Sequence, residues 1–268
     1  MKREENNVMS DWQPNLYLEY GRERTQPSID LVTRIDHRDP KRIIDIGCGP
    51  GNSTNVLRAR WPQAEIIGLD SSEAMIEEAK SKHPAGDWIC ADATGDLAGL
   101  GTFDIVFSNA AIQWMPNQDL LLAHLFDRLN PNGVLAVQIP CTKDMQVQIE
   151  LMEIIESDKW RRLFEMAAPS RSVNSADLFY DVLCGLTSDI DLWETIYFHV
   201  MKTHNDIVKW YSGTALRPYL DCLKDDSLSA DFLQEFENAL EGAYPAQADG
   251  KILFPFTRIF FIAKNRHT

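Results

Sequence analysis

From residue 42 to residue 139 the chain repeats one pattern: a short apolar run, a polar or glycine break, then a longer stretch with apolar positions at helical spacing. Short runs of Ile, Leu, Val and Phe between breaks predict buried strands, and the spaced positions predict helices packed on the sheet they form. Strands are expected at 42–46, 65–69, 87–91, 103–108 and 134–139. A helix at 52–60 is stopped by Trp61-Pro62, and the next runs to about residue 82 behind a Ser72 cap, with Met75, Ile76 and Ala79 inward. Asn117 is placed to cap a further helix whose stripe is Leu120, Leu121, His124, Leu125 and Leu129, before a turn at Asn130-Pro131-Asn132-Gly133. Upstream, Pro27 suits a helix start, followed by Ile29, Leu31, Val32 and Ile35 at helical spacing. Alternating strands and helices predict an α/β fold, a doubly wound sheet with helices on both faces.

Beyond residue 140 the rhythm loosens. Helical patterning covers 147–155 and 159–166, and a third segment lies between Ser175 and Gly185. A strand is expected at 190–200, helices ending at Gly213 and around Gly242 follow, and a last strand is expected at 252–263. The inserts at 141–186 and 202–250 therefore read as a helical cap on one domain spanning 1–268, shaping a substrate pocket. At the other end, Trp12, Leu16, Tyr17, Leu18 and Tyr20 stand beside Arg22 and Arg24. Residues 11–25 are either a packed N-terminal helix or a lid.

Charge narrows the partners. With 26 basic and 40 acidic residues the formal charge is −14, which argues against nucleic acid, whose binding draws on clustered Lys and Arg. A small anion held in a local arginine pocket stays compatible with that field, because charges beyond roughly 10 Å are screened at physiological salt. The five cysteines are odd in number and widely spaced, as in a reduced, cytoplasmic protein. No apolar run approaches the ~20 residues of a membrane span, and no signal-peptide core precedes the fold.

Candidate chemistry gathers at strand ends. Asp45, Asp70, Asp92 and Asn109 close successive strands, at the edge where open parallel sheets bind ligands. Asp45 opens the turn Asp45-Ile46-Gly47-Cys48-Gly49-Pro50-Gly51, and Asp70 follows at the distance from it at which nucleotide-binding units place a ribose-binding acid. NAD, FAD and S-adenosylmethionine (SAM) domains all use such a turn. Here Asn52 stands where the dinucleotide pattern has its third glycine, and no Gly-Lys-Ser/Thr forms a phosphate loop. A carboxylate beside a pyrophosphate costs on the order of several kcal/mol at intermediate dielectric, whereas beside an ammonium or sulfonium it stabilises. SAM carries both cations.

These motifs, with Asp92-Ala93 and Asn109-Ala110-Ala111, resemble the successive cofactor motifs of the class I SAM-dependent methyltransferases. The resemblance implies a seven-stranded, Rossmann-like sheet in the order 3-2-1-4-5-7-6 with the last strand antiparallel. It also implies SAM contacts at Asp45, Gly47, Cys48, Gly49, Gly51, Asp70, Ser71, Asp92, Ala93, Asn109 and Ala110. Asp45 and the glycines would lie near the methionine part, Asp70 on the ribose, Asp92 toward the adenine amine, and Asn109 with Ala110 on the floor. The segments 10–18, Gln113-Trp114-Met115-Pro116, 130–140 and Leu216-Arg217-Pro218-Tyr219-Leu220 are further similar to the branch of the family that methylates trans-aconitate. The stretch Cys141 to Val147 departs from that branch where a pocket border is expected.

Such a reaction makes few demands for acid–base help, because a carboxylate is already ionised near neutral pH. No catalytic acid or base and no metal is therefore expected; orientation and desolvation suffice. His199 and His204 are wrongly spaced for one helix face, and no cluster has metal-ligand spacing. A polyanionic acid needs cationic anchors, for which bidentate arginine is suited. Arg217, Arg24 and Arg22 are the candidates, with Tyr17, Tyr20 and Trp114 as walls; Arg258, inside the apolar last strand, reads as outward-facing or structurally paired. Two alternatives stay open, a methyltransferase for another small acid or metabolite and a non-catalytic SAM- or nicotinamide-binding module.

Overall fold

The computed structural model describes residues 21–165 and 175–266. Helix α1 (Gly21–Arg34) leads into β1 (Arg42–Ile46), α2 (Asn52–Arg60), β2 (Glu65–Asp70), α3 (Glu73–Lys82), β3 (Asp87–Cys90), β4 (Phe103–Asn109), α4 (Gln118–Phe126) and β5 (Leu129–Pro140). Then come α5 (Gln146–Glu156), α6 (Arg161–Phe164), α7 (Ala176–Cys184), β6 (Ile190–Met201), α8 (His204–Ser212), α9 (Arg217–Leu220), α10 (Asp226–Ala243) and β7 (Ile252–Lys264). The strands form a seven-stranded sheet in the order β3-β2-β1-β4-β5-β7-β6. The β1–β2, β1–β4, β2–β3 and β4–β5 pairs are parallel, and β7 runs antiparallel between β5 and β6, as the resemblance implied.

Alternation along the strands feeds two layers, because successive side chains point to opposite faces. Ile43, Phe107, Ala136 and Phe260 pack with Leu31, Val32 and Ile35 of α1 and Leu57 of α2. Ile44, Ile46, Val106 and Val137 pack on the other face with Leu121, Leu122 and Leu125 of α4 and Phe179 of α7. A third cluster joins the outer half of β7 to α5, α8 and α10 through Leu151, Trp160, Phe232, Phe236 and Phe254, with the Trp160 and Phe232 rings 5.1 Å apart. Among the described residues, no helix is long and apolar enough to cross a membrane.

Four local expectations need correction. Pro27 lies inside α1 rather than at its start, where its missing N–H removes one intrahelical bond. Asn117 precedes α4 but sits in the left-handed region (φ 51°) and makes no side-chain cap. In α4 Leu122 and Phe126 join Leu121 and Leu125 in the core, while Leu120, expected in the stripe, is 68% exposed. Residues 130–133 belong to β5: the β4–β5 register jumps from Phe103↔Leu129 to Ile105↔Val134, so the polar residues bulge from the strand instead of ending it. Asn265 ties the bulge down, its N–H donating to the Gly133 carbonyl and its carbonyl accepting from the Asn132 N–H.

Candidate functional site

The C-terminal ends of β1, β2, β3 and β4 surround a cleft of about 270 Å³. Gly47, Gly49 and Pro50 form one wall, Asp70, Ser71 and Met75 another, and Asp92, Ala93 and Thr94 a third. Ala110, Ala111, Trp114, Met115 and Pro116 close the remaining side. The structure thus brings together Gly47, Gly49, Asp70, Ser71, Asp92, Ala93, Ala110 and Trp114 of the expected residues. Met75, expected only as a core position, also lines the cleft.

The glycines have distinct reasons. Gly47 has φ 69°, and a Cβ there would lie 2.1 Å from the Ala111 Cβ, so the turns after β1 and β4 touch only because this residue is bare. Gly49 also has positive φ, but nothing lies within 4 Å of its absent Cβ, which leaves space for a ligand against the backbone. Gly51 does not line the cleft; it faces the Trp88 ring, 2.7 Å from where a Cβ would sit. Ala110 adopts φ 54°, a conformation costing an L-residue about 1–2 kcal/mol. It is held there by its N–H donating to the Gln138 carbonyl (2.8 Å) and its carbonyl accepting from Gln113 Nε2 (2.7 Å).

The turn's donors are already used. The Gly47 and Cys48 N–H groups donate to the Leu69 carbonyl at 2.7 and 3.0 Å, Gly49 N–H to Asp70 Oδ2 at 2.9 Å, and Gly51 N–H to the Cys48 carbonyl at 3.0 Å. A phosphate nest needs these groups pointing at the ligand, so the turn is not one. Asp70 accepts a second backbone bond at Oδ1 from Ser72 N–H, and burial raises its pKa against those two bonds. Each of its oxygens retains acceptor capacity toward the cleft. Asp92, exposed, accepts from the Thr94 N–H and hydroxyl, both at 2.8 Å.

Asp45 lies beneath the turn, fully buried, and does not line the cleft. Its Oδ2 accepts from Ser53 Oγ (2.7 Å) and Thr54 Oγ1 (2.6 Å) in the first turn of α2, while its Oδ1 is buried without a hydrogen-bond partner. Burial pushes its pKa up to about 7, the two hydroxyls oppose that rise, and Asp70 adds to it. Cys48 is buried beside Gly68, and burial followed by Asp45 and Asp70 pushes its thiol far up, so it stays protonated. Asn109 stands next to the cleft with a buried, unpartnered Oδ1.

The expected substrate anchors fare differently. Arg217 opens α9, partly covered, with its Nε 4.0 Å from Asp221. Tyr17 and Tyr20 lie outside the described residues, as do the lid residues before 21 and the side chains of Arg22 and Arg24. Arg258 is not outward-facing: it is 3% exposed and its Nη1 donates to Gln138 Oε1 at 3.4 Å. Of the divergent stretch, Met145 and Val147 are core residues, and the Val147 N–H donates to Tyr244 Oη at 2.9 Å. Among the described residues no group of three or more His, Cys, Asp or Glu could hold a metal ion.

Comparison with known proteins agrees with this geometry. Residues 17–220 match the family model described as a methyltransferase domain. A trans-aconitate 2-methyltransferase of Rhodopseudomonas palustris is 40% identical over 256 residues, covering 95% of this chain and 99% of that protein. The enzymes of the same name from Enterobacter sp. and Escherichia coli K12 are 39% and 38% identical, each over 96% of this chain and 99% of their own. The Bacillus subtilis YcgJ protein shares the fold at TM-score 0.60 and 14% identity, over 91% of this chain and 100% of that one. A Haemonchus contortus phosphoethanolamine N-methyltransferase, solved with S-adenosylhomocysteine, does so at 0.54 and 15%, over 89% and 52%. With its sheet order, its acid-rimmed cleft and relatives matched over nearly their whole length, the chain belongs to the methyltransferase family, in the trans-aconitate 2-methyltransferase branch.

Proposed function

We propose that the chain binds SAM in the cleft and methylates a carboxylate of a small polycarboxylic acid, trans-aconitate first among them. The observation that carries this reading is the turn itself: its N–H groups are spent on Leu69, Asp70 and Cys48, and carboxylates stand beneath and across it. Such a site repels a pyrophosphate and favours a cation. The names borne by the relatives at 38–40% identity support the acid and the reaction.

In this reading Asp70 takes the ribose hydroxyls, Asp92 with Ala93 takes the adenine, and Gly47, Gly49, Asn109 and Ala110 border the methionine end. The buried carboxylate of Asp45 stabilises that end's positive charge from below. When bound, SAM supplies an electrophilic methyl group on a sulfonium. The chain's own part is to hold an already ionised carboxylate in line and exclude water, with no proton to move. Trp114 walls the cleft on the acid's side. Arg217, with Arg22, Arg24, Tyr17 and Tyr20 of the 11–25 lid, and the caps at 141–186 and 202–250, enclose the acid.

The test is a panel of small acids incubated with purified protein and SAM, read by mass spectrometry. A trans-aconitate monomethyl ester with equimolar S-adenosylhomocysteine is expected. Turnover of another acid with trans-aconitate inert would overturn the substrate, and no ester from any acid would overturn the reaction class.

A further inference from the structure

The sheet ends on an open edge. β6 closes the order β3-β2-β1-β4-β5-β7-β6 and, among the described residues, pairs with β7 alone, in an unbroken register from Ile190↔Ala263 to Met201↔Ile252. The N–H and C=O groups along its other side form a row of donors and acceptors that fits another strand. Natural edges are blunted by charge, proline, bulges or brevity. This one is 12 residues long, and from Thr195 to Met201 it carries no proline and no Asp, Glu, Lys or Arg.

The side chains of β6 supply a second observation. Its even-numbered residues share the face on which α4 and α7 pack. Ile190 and Leu192 meet that core, whereas Ile196, Phe198 and Val200 lie beyond it and are 54%, 60% and 62% exposed. β7 widens the patch, with Pro255 opposite Phe198 and Leu253, 38% exposed, opposite Val200. An apolar stripe of this kind beside a free edge marks an interaction surface.

The charges at the two ends of the stripe say what fits it. Glu194 and Lys202 stand at equal distances in sequence on either side of Phe198; both are exposed, and no ion pair holds either among the described residues. A two-fold axis normal to the sheet brings a second copy of β6 alongside, antiparallel and with the same faces aligned, so that even positions meet even positions. Centred on Phe198, this pairing sets Glu194 against the second copy's Lys202, Ile196 against its Val200 and Phe198 against its counterpart. Centring it on Tyr197 sets Glu194 against Val200, and centring it on His199 sets Lys202 against Ile196. The charges therefore single out Phe198.

We propose that the protein forms a homodimer in which two β6 strands pair antiparallel about Phe198 and join the two sheets into one. Each copy completes the other's open backbone, the apolar stripes lie side by side, and a Glu194–Lys202 pair closes each end. The cleft is built at β1 to β4, on the far side of β5 and β7, so both copies keep it.

Sedimentation velocity of the full chain from about 1 to about 100 μM, the range expected of an interface of modest area, tests the proposal. The mass of the wild type is expected to rise from the 30.5 kDa of one chain toward twice that value. E194K and K202E each set like charges opposite one another at both ends and should weaken the dimer about 10- to 100-fold, and the double exchange E194K/K202E should restore it. F198K, with two ammonium groups on the axis, should stay monomeric throughout. Circular dichroism checks the fold of each variant, all three positions being exposed. If one variant fails to fold, the others decide by the same rule. A wild type that stays monomeric overturns the proposal. So does a dimer that E194K, K202E and F198K leave unchanged, which lies on another face, or a loss that the double exchange does not repair, which denies the register.

Discussion

Replacing Asp45 with Asn tests the link between the buried carboxylate and its ligand. An acid held near pKa 7 instead of 3.8 costs the folded state about 4 kcal/mol once the pH exceeds 7. Below pH 3.8 both states are protonated and the cost vanishes, so it accumulates between about pH 4 and pH 7. Asn keeps an acceptor for Ser53 and Thr54 but places an amide N–H₂ where Oδ1 has no partner, an added cost of roughly 1–3 kcal/mol at every pH. Asp45→Asn should therefore be less stable than wild type at pH 4 and more stable, by about 1–3 kcal/mol, at pH 8. The assay is urea denaturation of both proteins across that range, without ligand. The difference between them is the quantity to read, because His199 gives the wild type an opposite slope. It should rise by about 4 kcal/mol, on the order of 10 °C in Tm. A difference independent of pH would refute the buried charge. The same variant should bind SAM more weakly, since a charge that destabilises the empty fold is retained where a cation needs it.

Other expectations follow from neighbouring residues. Gly49→Ala has free space and should cost only about 1 kcal/mol of stability for its positive φ, while weakening SAM binding by filling the cleft. Gly47→Ala, driven into Ala111, should fail to fold or lose more than about 3 kcal/mol; equal thermal shifts for the two would contradict the packing. His199 is held neutral, with its pKa near 4 against 6.5 unfolded, so its contribution is intact above pH 6.5 and lost as the pH falls toward 4. His199→Phe should therefore gain up to roughly 3 kcal/mol over wild type on going from pH 7 to pH 4, measured by chemical denaturation. Arg217→Ala should raise the acid's KM with little change in SAM affinity; equal losses in both would remove it as an anchor.

The sheet was legible because β1 to β5 are short, mostly apolar runs, the first four with an Asp or Asn at or just beyond their C-terminal ends, and buried parallel strands admit little else. The cleft was legible in part, since Gly47, Gly49 and Asp70 are set on its wall by the turn after β1 and the end of the neighbouring β2, whereas Asp45 lies beneath it. What escaped depends on partners distant in sequence. Residues 130–133 carry every mark of a turn, and the grip of Asn265, with the bonds of Asn130 to Thr102 and Asp104, keeps them in β5. Pro27 looked like a helix start because the residues that extend α1 upstream carry no apolar stripe. Arg258 read as outward-facing or structurally paired, and the pairing Pro140↔Arg258 sets it inward, buried on the face of Gln138.

The insertion of β7 between β5 and β6 has a consequence for how the protein comes into being. Residues 42–140 supply all five parallel strands and the whole lining of the cleft, so these are synthesised before the remainder. β6 has no neighbour in the sheet until the last strand arrives, and even in the finished fold its Ile196, Phe198 and Val200 are exposed. The nascent chain therefore passes through a stage that shows an unpaired apolar strand, when aggregation and chaperone capture compete with completion.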